Sequence, residues 1–340
     1  MTDVSASELQ AIGNTPLVEL RRVVPPGCAR ILVKVEGQNP TGSMKDRMAL
    51  SMIGRAEADG RLRAGGAVVE YTGGSTGASL ALVCAAKGYR LHIVSSDAFS
   101  EDKLAQMAAL GAELTIIPSD GGLITSELIR RMIDTARDIS RRSGAYWTDQ
   151  PNNTDSIAGY YPMGEEIWDQ SGGKADAFIQ SVGTTASLRG VAVVLRRFSP
   201  GVRITAVEPG ESAVLSGGPP GAHRIEGIGI GYAPPMWDPG LVDEIVPVPT
   251  ADAEAMARRL AREEGLFAGT SSGANVIGAI RAGERLGPGA AVVTLLVDSG
   301  LKYISTEVYR REGPGPDSGH SRLAIAHQAQ PRPGRRRAMP

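Results

Sequence analysis

An α/β fold of parallel-rich sheets flanked by helices is what this sequence predicts, and three observations predict it. Short, near-continuous apolar runs alternate with amphipathic stretches along most of the chain, as strands buried on both faces and joined by crossover helices require. Glycine follows the helical stretches at Gly60, Gly88, Gly111 and Gly144, where a left-handed residue closes a helix. The 340 residues are 42% hydrophobic, enough for one large or two modest cores.

Taken in order, the first strand is expected at residues 31–36, a run of Ile, Leu and Val. A helix then opens near Ser43, a suitable N-cap, and Met44, Met48 and Met52 at i, i+4 and i+8 lay one apolar stripe along it. Strands at 67–71, 90–95 and 113–117 alternate with helices at 77–87, 100–110 and 125–142. Later strands are expected at 177–182, 204–207 and 291–297, and a helix carrying Ile277 and Ile280 opens after Gly269. No internal repeat is visible. Two α/β layers with right-handed crossovers are expected, and ligands at the carboxyl ends of the strands or between the layers.

Composition removes several chemistries. Of the 36 basic side chains, six are lysine: Lys34, Lys45, Lys87, Lys103, Lys174 and Lys302. Histidine occurs four times, too rarely to support a multi-histidine metal site or a Ser/His/Asp triad. Cys28 and Cys84 have no ligand-like spacing and make no disulfide framework, which fits a reducing, cytoplasmic compartment. Aromatics at 4% are too thin for stacking nucleic-acid bases. No apolar run approaches the roughly 18 residues of a membrane span, and the first ten residues do not read as a signal peptide. The net charge of −1 hides a split: residues 313–340 are Pro/Gly/Arg-rich, read as a disordered basic tail, and leave an acidic body before them.

Three loops are small, hydroxylated and glycine-bearing: Thr72-Gly73-Gly74-Ser75-Thr76-Gly77, Gly183-Thr184-Thr185-Ala186-Ser187 and Gly269-Thr270-Ser271-Ser272-Gly273. Each is expected at a strand-to-helix junction, where free N–H groups and hydroxyls favour an anion. Any one of them is ordinary turn and capping chemistry, but three together suit a ligand with several polar anchors. None fits GxxxxGK[ST] or GxGxxG, which disfavours an NTPase or a dinucleotide dehydrogenase. Lys45, within Pro40-Thr41-Gly42-Ser43-Met44-Lys45-Asp46-Arg47, falls in a first helical turn. The helix dipole disfavours an ammonium there, which would lower its pKa and suit a nucleophile or proton shuttle. From position alone, an exposed lysine beside Asp46 and Arg47 is the plainer reading.

These residues carry a resemblance. With Gly13-Asn14-Thr15-Pro16-Leu17, Gln150 with Asn153, Gly227-Ile228-Gly229, and Asp298-Ser299-Gly300 with Tyr303, they follow in order the motifs of the cysteine synthase (O-acetylserine sulfhydrylase) and cystathionine β-synthase family. These are fold-type II, tryptophan synthase β-like enzymes that use pyridoxal 5'-phosphate. The resemblance spans about residues 11–309 and implies roles for the loops. Lys45 would be the Schiff-base lysine and general base. Gly183, Thr184, Thr185, Ala186 and Ser187 would cradle the cofactor phosphate, Ser271 would face the pyridine nitrogen, and Ser75 would lie near the cofactor. Thr72, Gly73, Ser75, Thr76, Gln150 and Gly227 would bind the substrate.

The implied reaction is β-replacement through an aminoacrylate. An activated serine, of the O-acetylserine or O-phosphoserine type, loses its β-substituent, and sulfide or a thiol-like nucleophile adds to give cysteine or a related amino acid. A serine at the ring nitrogen does not hold it protonated, which favours elimination chemistry over long-lived carbanions. Two departures stand out: Ser75 replaces the asparagine of the family's SGNTG loop, and Gly183 to Ser187 carries two glycines fewer than GTGGT. They leave room for β-elimination (a desulfhydrase or dehydratase), for a specialised β-substituted alanine synthase, or for a catalytically silent cofactor-binding regulator, against which Lys45, Gln150 and Ser271 argue. The resemblance further implies a smaller domain at 45–153, a larger one from 1–44 plus 154–312, closure over substrate, and a homodimer.

Overall fold

Two sheets organise the chain in a computed structural model that describes residues 7–123 and 125–310. The strands are β1 (Leu17–Glu19), β2 (Arg30–Val35), β3 (Ala67–Tyr71), β4 (Arg90–Ser96), β5 (Glu113–Ile117), β6 (Tyr146–Trp147), β7 (Ala177–Ser181), β8 (Arg203–Pro209), β9 (Glu244–Val248) and β10 (Ala291–Leu296). The helices are α1 (Lys45–Ala58), α2 (Ser75–Lys87), α3 (Glu101–Ala109), α4 (Ser126–Ser143), α5 (Asp155–Ala158), α6 (Tyr161–Gln170), α7 (Ala186–Phe198), α8 (Thr250–Arg259) and α9 (Thr270–Leu286).

The larger sheet runs β1-β2-β10-β7-β8-β9 and the smaller β5-β4-β3-β6. Every pairing is parallel except that of β1, which lies antiparallel on the edge beside β2. Central β10 sets Val293 against Leu32 on one side and Phe178 on the other. Both β7 and β10 are buried at every position, as the apolar runs require of a parallel sheet covered on both faces. The four strands of the smaller sheet fall between residues 45 and 153, and those of the larger sheet fall outside that span.

The expected strands recur within one or two residues, and β3 and β5 coincide with their expected limits. The short strands β1, β6 and β9 carry too little pattern to be read; β9 also contains Pro247, tolerated because β9 is an edge. Two expectations need correction. The loop at 269–273 follows no strand, only an isolated bridge between Ala268 and Ser299. Helix α1 starts at Lys45, with Met44 as its flanking residue, because the Ser43 hydroxyl accepts the Lys45 N–H at 3.2 Å rather than one further on. The expected basic tail, 313–340, lies outside the described residues.

Met44, Met48 and Met52 are all buried, in one cluster that takes in Leu80 and Ile93 from the smaller sheet's side and Val191 and Val293 from the larger. The other face of α1 is held by charge. Arg47, 4% exposed, donates to Glu36 at 2.7 and 2.8 Å and to Glu166 at 2.8 Å through two nitrogens. Lys34, fully buried, pairs with Glu166 at 2.6 Å and donates to the Thr15 carbonyl. Burial alone would raise the Glu166 carboxyl, but Arg47 and Lys34 hold it at about 2.

Removing one partner of such a buried pair leaves an uncompensated charge, so Arg47→Met is expected to cost about 3–5 kcal/mol. Urea denaturation measures this, and a loss under about 1 kcal/mol would contradict the network's role. Because Glu166 titrates below its ordinary 4.5, its contribution is complete above that pH and lost as pH falls toward 2. Glu166→Gln should flatten the acid limb of stability.

Candidate active site

Lys45 stands at the mouth of the larger sheet because its segment is stitched to the end of β10. The Met44 N–H donates to the Val297 carbonyl at 3.0 Å, and Ser43 bridges Asp298. The Lys45 amine is pushed down to about 8 by burial, with the Asp298 carboxylate opposing. Desolvation is thus the cause the structure gives. Asp46 and Arg47 do not solvate it. Asp46 turns away and accepts from the Thr41 N–H at 2.8 Å, the Thr41 hydroxyl at 2.5 Å and the Ser79 hydroxyl at 2.6 Å.

Ser271 enters through the same stitch. The Ser272 hydroxyl accepts the Val297 N–H at 2.9 Å, so the first turn of α9, with Ser271 buried in it, lies against the segment that precedes the lysine. Asp298 accepts from the Tyr303 hydroxyl at 2.8 Å through Oδ2, while its buried Oδ1 has no hydrogen-bond partner among the described residues. Burial raises its carboxyl, against Lys103 and Lys302.

The loop 183–187 forms a cradle at the start of α7. Thr185 adopts φ +79°, an unusual conformation for a β-branched residue. Its hydroxyl and that of Ser181 are buried without a partner among the described residues. Gly183 is close-fitted: a Cβ there would lie 2.5 Å from the Gly227 carbonyl oxygen, so the fold brings Gly183 and Gly227 together. Gln180 links this cradle to the lysine segment, its Nε2 donating to the Ser187 hydroxyl at 2.5 Å and lying 3.8 Å from Met44 Sδ. Orphaned hydroxyls beside the free N–H groups of a helix start make a site for an oxyanion.

The Thr72 to Thr76 loop belongs to a second group. Helix α2 begins at Ser75 rather than Gly77, so Ser75 and Thr76 fall in its first turn. Thr72 accepts the Gly74 N–H at 3.1 Å. Gly73 lies under the Phe99 ring, which a Cβ would meet at 2.0 Å. The Thr76 hydroxyl donates to Gln150 Oε1 at 2.9 Å. Asp46, bonded to Ser79 of α2, ties this group to the lysine helix. No hydrogen bond joins Lys45 to either loop among the described residues.

Three residues escaped the reading from sequence. Glu70 and Gln180 are lone polar side chains within apolar strand runs, and that contrast was the signal. Asp298 was visible only as part of a motif. Among the described residues no group of three or more potential metal-ligating side chains occurs, and no helix is long and apolar enough to cross a membrane.

Comparison with known proteins adds the family. That described as "Pyridoxal-phosphate dependent enzyme" matches residues 8–298. A cysteine synthase of Staphylococcus aureus is 41% identical over 302 residues, covering 88% of this chain and 96% of the relative. The structure of a cysteine synthase from Entamoeba histolytica superposes with a TM-score of 0.86 at 35% identity, covering 92% of this chain and 93% of that one. An O-ureido-L-serine synthase superposes with a TM-score of 0.85, also at 35% identity, covering 93% and 98%.

The lowered Lys45 pKa has a direct readout. Capture of an aldehyde by the cofactor-free protein, trapped by borohydride, should rise with a midpoint near pH 8, where an ordinary lysine would need 10.5. Lys45→Ala should abolish it; a midpoint near 10.5 would contradict the burial argument.

Proposed function

The chain belongs to the pyridoxal-phosphate dependent enzyme family, and from that premise we propose β-replacement on an activated L-serine, of the O-acetylserine or O-phosphoserine type, with sulfide or a thiol-like nucleophile, giving L-cysteine or a related amino acid. The observation that carries this reading is the Lys45 amine, lowered to about 8 by burial, on a segment that Met44 ties to Gln180 before α7 and to Val297, which the first turn of α9 also holds. The residues fit the cofactor: an amine for its aldehyde, the orphaned Thr185 hydroxyl and α7 N–H groups for its phosphate, and buried Ser271 for its ring nitrogen.

When bound, pyridoxal phosphate supplies an electron-withdrawing ring that weakens the bonds at the amino acid's Cα. The protein's part is to bind, orient and move protons. Lys45, as the neutral amine, takes the Cα proton as general base. The N–H groups and hydroxyls of Thr72 to Thr76, with the Gln150 amide, hold the substrate carboxylate, and Gly227 borders the pocket beside Gly183. Ser271 accepts or donates a hydrogen bond without imposing a positive charge on the ring. The electrons therefore leave most readily with the β-substituent.

A second reading has its own support. Gly73 under Phe99 and the short Ser75 side chain leave a substrate loop unlike SGNTG, and the similarity to an O-ureido-L-serine synthase is nearly as close as that to a cysteine synthase. A specialised nucleophile in place of sulfide is the alternative these features favour. The reading carries with it a closing smaller domain at 45–153, a homodimer and a cytoplasmic setting.

The test is an absorbance titration of the purified yellow protein with O-acetyl-, O-phospho- and unmodified serine, followed by product analysis with sulfide and other nucleophiles. Cysteine formed only when sulfide is present is expected. Pyruvate formed at a rate that sulfide does not change would replace the reading with elimination, and turnover by Lys45→Ala would overturn it.

A further inference from the structure

Glu70 is fully buried at the end of β3, immediately before the Thr72 to Thr76 loop. Among the described residues no lysine, arginine or histidine forms an ion pair with it. Instead four donors converge on its two oxygens. Oε1 accepts from the Tyr71 N–H at 2.7 Å and more distantly from the Trp147 Nε1–H at 3.4 Å; Oε2 accepts from the Thr148 hydroxyl at 2.6 Å and the Gln150 N–H at 2.9 Å.

The backbone explains why a carboxylate is needed there. Strand β6 has two residues, paired to β3 as Val68 with Tyr146 and Val69 with Trp147. The last main-chain link is the Thr148 N–H to the Val69 carbonyl at 3.2 Å. Asp149 then turns the chain through φ +43°, out of the sheet, and the ladder ends. Glu70 continues it with a side chain, capturing the next two donors of the departing segment. The second of these, the Gln150 N–H, fixes the backbone of the residue whose Oε1 accepts from Thr76. A carboxylate without a cation is costly to bury: burial pushes this carboxyl up to about 7, with the four donors opposing. Four donors and no charge partner describe an acceptor chosen to organise N–H and O–H groups.

We infer that Glu70 is a positioning residue for the substrate carboxylate: it sets the Thr148 to Gln150 turn so that the Gln150 side chain, engaged by Thr76 through Oε1, presents its Nε2 donors to the amino acid. The inference rests on the proposed function, since it takes the Thr72 to Thr76 loop with Gln150 as the carboxylate site. Glu70 does not touch substrate and acts only through Gln150.

Glu70→Gln keeps the volume but turns an NH₂ toward donors that the carboxylate accepts. The holoenzyme is titrated with O-acetylserine and with O-phosphoserine, following the cofactor absorbance, for the wild type, Glu70→Gln, Gln150→Ala and the double variant. Glu70→Gln should raise the apparent Kd about tenfold while leaving the absorbance of the unliganded holoenzyme unchanged. The double variant should bind no more weakly than Gln150→Ala alone, because the two act as a unit. Additive losses, or an unchanged Kd in Glu70→Gln, would overturn the inference. Should Glu70→Gln fail to fold, Thr148→Val removes one donor to Oε2 and should raise Kd in the same direction; an unchanged Kd there overturns it equally. A wild type that gives no spectral response to either serine overturns the functional reading and this inference with it; a responsive wild type with an unaltered Glu70→Gln overturns this inference alone.

Discussion

A primary amine drawn partly out of water, with its ammonium form disfavoured, is the constraint around which the described residues are arranged. Burial lowers the Lys45 pKa only if the groups nearest in sequence are kept from solvating it, and each is engaged elsewhere. Asp46 is spent on Thr41 and Ser79, Arg47 on Glu36 and Glu166. The acid that remains in electrostatic reach, Asp298, belongs to another strand end and only partly offsets desolvation. The ionic network beneath α1 therefore has a second effect beyond stability: it leaves the lysine without a close counter-charge.

The same connections divide the work between two groups of residues. One is tied to the larger sheet: Lys45 through Met44 and Val297, Ser271 through Ser272, and the cradle through Gln180. The other is tied to the smaller sheet: Thr72 to Thr76 through α2, and Gln150 through Glu70. Asp46 spans both, since its carboxylate holds Ser79 on α2 while its backbone belongs to α1. A cofactor anchored on the first group and a substrate carboxylate on the second would meet between the two sheets.

Much of this was legible in the sequence, for a physical reason. Parallel strands buried on both faces have to be largely apolar, so β3, β7 and β10 declared themselves, and glycines marked the helix ends. Lys45 and the three polar loops stood out because lysine is scarce and the loops are small and hydroxylated together. What could not be read depends on tertiary contact. Strand β6 is too short to carry a period, and β9 is interrupted by Pro247. The lysine's pKa was attributed to the helix dipole, whereas enclosure by segments distant in sequence is what lowers it. The role of Glu70 rests on donors most of which lie nearly eighty residues later in the chain.

Three other lysines test whether burial or position matters, because Lys34, Lys103 and Lys302 are more enclosed than half-buried Lys45 yet each has a side-chain partner: Glu166, Glu226 and Gln106 respectively. Lys45 has no such side-chain partner among the described residues. Borohydride reduction of the cofactor-loaded protein, followed by peptide mass mapping, reads this directly. The account predicts the reduced cofactor on Lys45 alone; its appearance on Lys34, Lys103 or Lys302 would contradict it.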